Sequence, residues 1–125
     1  MTIREALEAL AQCGVADAAV IVLRNRDGEL SAAPVLAVAL DEDSQDVSLM
    51  IGDFGEEEAA LDDASSVAEV RDALREAGDE RAGWPLFAVD SDDAGGGGSI
   101  VGFSTDEEVE IFAFLEGPKA AWEND

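Results

Sequence analysis

AAVIVLRNRDGELSAAPVLAVALDEDSQDVSLMI, residues 18–51, is the stretch on which the fold turns. Ala18 to Leu23 form a continuous apolar run, the pattern of a strand covered on both faces. Asn25, Arg26, Asp27 and Gly28 supply a turn, and the chain returns through Pro34 into a second apolar run, Val35 to Leu40. Asp41 to Asp46 make an acidic turn into a third strand. There Val47, Leu49 and Ile51 alternate with Ser48 and Met50, so one face is covered. Three successive strands joined by short turns predict an antiparallel meander.

Upstream, Thr2 to Cys13 read as an amphipathic helix, with Thr2 as N-cap, Glu5 closing a capping box, Gly14 as the stop, and Ile3, Leu7 and Leu10 as the buried stripe. Downstream, Glu56 to Leu61 suit a short helix whose acids favour its N-terminus. A firmer helix starts at Ser66, capped with Glu69, and presents Val67, Val70, Leu74 and Ala77 on one face until Gly78. Arg71 and Arg75 stand one turn apart on it, near Glu69, Asp72 and Glu76, which predicts a salt-bridged face. After Gly83, Trp84 and Pro85, three more strand signals follow, Leu86–Val89, Ile100–Phe103 and Val109–Leu115, expected as a second antiparallel set.

The expected architecture is a single compact α+β domain spanning residues 1–125. A mainly antiparallel sheet of five or six strands carries two amphipathic helices packed on it, with a flexible Gly-rich loop at residues 91–99 and a loosely held tail at 117–125. The expected core comprises Ile3, Leu7, Leu10, Val20, Val22, Val35, Val38, Leu49, Val70, Leu74, Phe87, Val89, Val101, Ile111 and Leu115, with Trp84 buried beside it. A chain of 125 residues with 47% hydrophobic content can bury such a core without staples.

Charge is the other dominant feature. Thirty acidic residues face seven basic ones, a formal net charge of -23. From Asp27 to Val70 there are thirteen carboxylates and no Lys or Arg. Such a chain lacks the cationic footprint needed to bind nucleic acid or an anionic membrane directly. One Cys, no leader-like N-terminus and no long apolar run lead to the expectation of a cytoplasmic protein.

The chemistry-bearing patterns are thin. The chain has no His and no Tyr, so the usual group for proton transfer near neutral pH is missing. Cys13 has no base beside it and reads as structural. Gly95–Gly98 lack the Lys-Ser/Thr ending of a phosphate loop and follow Asp90, Asp92 and Asp93, which would repel phosphate. Asp41-x-Asp43 and Asp90-x-Asp92 open like calcium loops, but Asp46 and Gly52 in the first, and Val101 in the second, stand where the turn Gly or the bidentate Glu is required. The expectation is a non-enzyme with no cofactor and no metal.

Three accounts explain the acidity. In the first, the carboxylates act as phosphate surrogates and the protein inhibits a basic nucleic-acid-binding partner or nuclease, as small anti-restriction and anti-CRISPR inhibitors do as a class. The expected partner-binding residues are then Asp41, Glu42, Asp43, Asp46, Asp53, Glu56, Glu57, Glu58, Asp62 and Asp63. In the second, the protein is a small regulatory or interaction domain from a high-salt cytoplasm, and its charge is environmental. In the third, it is an immunity protein that neutralises a nuclease toxin. A mimic should concentrate its acids on one face, whereas a halophilic surface should spread them.

Overall fold

The computed structural model describes residues 1–13, 16–26, 28–90, 98–106, 108, 110–117. The expected helix stop at Gly14, most of the Gly-rich loop and the tail from 118 onward, Trp122 included, lie outside the described residues. In chain order the elements are α1 (Ile3–Gln12), β1 (Ala19–Arg26), β2 (Glu29–Asp41), β3 (Asp46–Ile51), α2 (Glu57–Asp63), α3 (Val67–Arg75), a single 3₁₀ turn (Asp79–Arg81), β4 (Leu86–Asp90), β5 (Gly98–Asp106) and β6 (Ile111–Glu116).

The six strands close into a barrel in sequence order. The meander β1–β2–β3 is antiparallel as expected, and so is β4–β5–β6. The sheet as a whole is nevertheless mixed, because β3 pairs with β4 and β1 with β6 in parallel. The physical reason is the connection: a parallel step needs a crossover, and the segment carrying α2 and α3 makes one between β3 and β4. The described helices number three rather than two, since the acidic segment after β3 does form α2.

Closure requires bent strands. β2 pairs with β1 through Pro34 and with β3 from Val35 onward, its register shifting between Val35 and Ala37. β5 bends in the same way between Ile100 and Gly102. Pro34 sits at the first bend, where its missing N–H is tolerated, and its carbonyl accepts from Gly52 N at 3.0 Å. Where β1 and β2 splay apart, Ser65 fills the gap: its N–H donates to Val35 O and its carbonyl accepts from Val20 N, both at 2.8 Å.

The two halves of the chain repeat one plan. Thr2 and Ser66 each form the expected capping box, with Glu5 and Glu69 respectively. The first free N–H groups of each helix then find carbonyls just before a strand of the other half. Ile3 N and Arg4 N donate to Trp84 O and Ala82 O ahead of β4, while Val67 N and Ala68 N donate to Ala18 O and Ala16 O ahead of β1. Both strand starts lie at the same barrel end, so α1 and α3 close that end. Their buried faces merge with the barrel interior into one core containing Ile3, Leu10, Val67, Leu74, Leu49, Phe112 and Phe114. α2 covers the outside instead, packing Ala60 over Ile21, Ala32, Ile111 and Ala113.

Nine of the expected core residues are buried: Ile3, Leu10, Val20, Val22, Val35, Leu49, Val70, Leu74 and Ile111. Leu7, Val38, Phe87, Val89, Val101 and Leu115 are only half-buried, as is Trp84. In β4, β5 and β6 the expected phase is one residue off. The interior is lined by Leu86, Ala88, Ile100, Phe112 and Phe114, because β6 is apolar on both faces and its alternation carries no sign.

Candidate functional site

The strand directions sort the acids into two groups. β2 descends to the helix-covered end of the barrel, turns through residues 42–45, and β3 climbs away again. Asp41, Glu42, Asp43 and Asp46 are therefore together at that end. The Asp41 carboxylate organises the tip, accepting from Asp43 N at 3.0 Å, from Ser44 N at 3.2 Å and from Ser44 Oγ at 3.3 Å. Gln45 completes the turn with φ 56°. The β5–β6 turn, with Asp106, Glu108 and Glu110, reaches the same end, where Glu110 O accepts from Ala19 N. The 3₁₀ turn brings Asp79 and Glu80 there too.

Arg81 ties this rim together. Its Nη2 donates to Glu42 Oε1 at 2.5 Å, its Nη1 to Ala77 O at 2.9 Å, and its guanidinium lies 5.5 Å from the Trp84 ring centre. Of the predicted four, Glu42 is thus partly neutralised while Asp41 is engaged in its own turn. The rim holds nine carboxylates, from Asp41, Glu42, Asp43, Asp46, Asp79, Glu80, Asp106, Glu108 and Glu110, with Arg81 among them, and Arg4 and Arg75 border it, lining a groove with Asp79.

The remaining predicted residues lie elsewhere. Asp53, Glu56, Glu58, Asp62 and Asp63 follow β3 at its opposite end or sit on α2, all exposed, and the Glu57 side chain is outside the description. From Asp46 to Asp53 the chain advances seven strand-like steps, roughly 20 Å, so the two groups do not form one patch. Asp53, Glu56 and Asp63 share a groove of about 350 Å³ with Pro34, Leu36 and Gly52. Among the described residues no group of three Cys or carboxylate side chains is placed to hold a metal ion. Cys13 is half-buried and packs against the core.

The expected salt-bridged face of α3 is not formed: among the described residues neither Arg71 nor Arg75 makes an ion pair, and Arg71 Nε is buried without a hydrogen-bond partner. Spacing alone brought no acid into contact, since the neighbouring carboxylates project into solvent or, for Glu69, into the cap.

One charged pair escaped the sequence reading. Arg24 and Glu116 stand side by side in the parallel β1–β6 register and form an ion pair at the barrel end opposite the helices. Glu116 is only 5% exposed. The Phe54 ring lies over Arg24, 3.9 Å from the guanidinium carbon to the ring centre. The signal was present in the alternation: Val20, Val22, Arg24 and Phe112, Phe114, Glu116 each continue one inward-facing row. The Gly98 backbone lies close against the Glu116 carboxylate there.

No protein-family model matches the chain, and no match is found among curated proteins or solved structures.

Proposed function

We propose that this chain is a non-enzymatic acidic protein that binds and blocks a basic, nucleic-acid-binding partner, its carboxylates standing in for phosphates. The observation that carries this reading is the rim: two hairpin tips and a 3₁₀ turn from separate parts of the chain meet at one barrel end, bringing nine carboxylates together around Arg81, with Arg4 and Arg75 at the border. A dense negative field of this kind steers a basic partner and discriminates against acidic ones.

The test replaces Asp41, Glu42, Asp43 and Asp46 together with Lys. Native and variant proteins are each used to capture partners from host extract, and the captured protein is assayed for DNA binding. The expected outcome is that the native protein displaces DNA from its partner, that the variant folds but does not, and that displacement weakens as salt rises from about 0.1 to about 1 M, over which the screening length falls from about 10 to about 3 Å. A captured protein that still binds DNA fully would remove the reading.

A second reading draws on a different observation. Acids also cover α2, the opposite barrel end and the outer faces of α1 and α3, and a surface charged on every element suits a small interaction domain of a salt-rich cytoplasm. Folding as a function of salt separates the two.

A further inference from the structure

We infer that the outer edge of β5, residues 101–106, receives an extended basic segment of a partner protein, which adds to the barrel as a further strand. The inference rests on the partner-binding reading above and gives it a backbone-mediated contact.

Among the described residues β4 meets β5 at two residue pairs, Phe87↔Ser99 and Ala88↔Gly98, whereas β6 runs beside β5 from Ile100 to Asp106. From Val101 onward the side of β5 that turns away from β6 has no strand partner among the described residues. The N–H and C=O groups on that side have no backbone partner among the described residues, which is the template for strand addition. The corresponding edge of β2 is covered: Ser65 bonds Val35 O and Leu36 O, and α2 and α3 pack on that strand. On β5 the place of Ser65 is taken by Met1, whose N-terminal ammonium donates to Ile100 O at 2.8 Å while its carbonyl accepts from Leu86 N; from Val101 onward no such cover is found among the described residues. The distal half of β5, Val-Gly-Phe-Ser-Thr-Asp, also lacks the Pro or Lys that commonly guards an edge. Phe103, stacked on Phe112 with ring centres 5.6 Å apart, remains 36% exposed and offers an apolar shelf beside the edge.

The charge selects the occupant. β5 runs directly into Asp106, Glu108 and Glu110, and no Lys or Arg occurs between Ala82 and Pro118. A second copy of this chain would bring another -23 and be repelled. A strand alternating basic and apolar residues matches both the backbone and the field.

The full chain is titrated with the blocked peptide Lys-Val-Lys-Val-Lys-Val and with the same peptide N-methylated at alternate residues, which keeps its charge but cannot pair along one edge. Amide exchange at residues 101–106 is followed by NMR. The expected result is fast exchange at alternate amides in the free protein and slowing there with the first peptide. Affinity for the methylated peptide should be lower by at least about tenfold, since backbone hydrogen bonds are lost, and Thr105→Lys should weaken the first peptide while Leu30→Lys does not. Equal binding of both peptides overturns the edge inference and leaves the charge reading standing. Binding of neither overturns the edge inference, and the DNA-displacement assay then decides the charge reading. Protection of these amides in the free monomer means the edge is already covered, and a concentration-dependent dimer protecting them assigns it to a second copy; either result overturns the inference.

Discussion

Glu116 and Arg24 show how much one buried charge depends on its neighbour. Each stands with its charge beside the other at the end of an apolar barrel. Glu116→Ala should therefore cost about 3–5 kcal/mol, because it removes the carboxylate that faces the largely buried Arg24 guanidinium. The double replacement Arg24→Met with Glu116→Leu should recover most of that loss, as apolar packing often substitutes for a buried pair. Denaturant titration of the three proteins measures this, and a cost below about 1 kcal/mol for Glu116→Ala would mean the pair behaves as an exposed one. Gly98 belongs to the same site, since a Cβ there would meet the Glu116 carboxylate. Arg81 and Glu42 contrast with this: Glu42 is largely exposed, so their pair organises the rim while adding little stability.

At the scale of elements, capping and phase decide what each substitution does. Ser66 accepts from Glu69 N at 3.2 Å, while its own N–H donates to Glu69 Oε1 at 3.3 Å. Glu56, the N-cap of α2, makes no such side-chain bond. Ser66→Ala should cost about 1 kcal/mol and Glu56→Ala less than about 0.5 kcal/mol, read from thermal or chemical unfolding. The interior phase of β4 is testable in the same way. Leu86→Ala should cost about 2–5 kcal/mol, and Val89→Ala clearly less, because Leu86 is 1% exposed and Val89 only half-buried. A larger loss at Val89 would restore the alternation expected from sequence.

For the whole molecule the governing quantity is self-repulsion at a net charge of -23. Thermal unfolding followed by far-UV circular dichroism, from dilute buffer to molar potassium chloride, reports how far the fold tolerates it. The partner-binding reading expects cooperative unfolding already in dilute buffer, with the midpoint rising modestly as salt screens the rim. A chain that folds only in molar salt would transfer the acidity to its surroundings. The barrel contributes to the first outcome. It separates the rim acids from those after β3 by the length of a strand, and its main core joins α1 and α3 to all six strands.

Local chemistry was legible without the structure. The Thr2 and Ser66 caps, the meander from Ala18 to Ile51 and the helix from Ser66 all follow from residue type and short-range spacing, because hydrogen bonds to the next turn and hydrophobic alternation are local. What needed tertiary structure was every relation between distant residues. That β6 returns parallel to β1, that Phe112 and not Ile111 faces inward, that Arg24 meets Glu116, and that Asp43 shares a rim with Asp106 but not with Asp53 all depend on barrel closure. Closure is set by the bends at Pro34–Leu36 and Ile100–Gly102 and by the packing of both helices on one end. No window of sequence contains the partners that decide it.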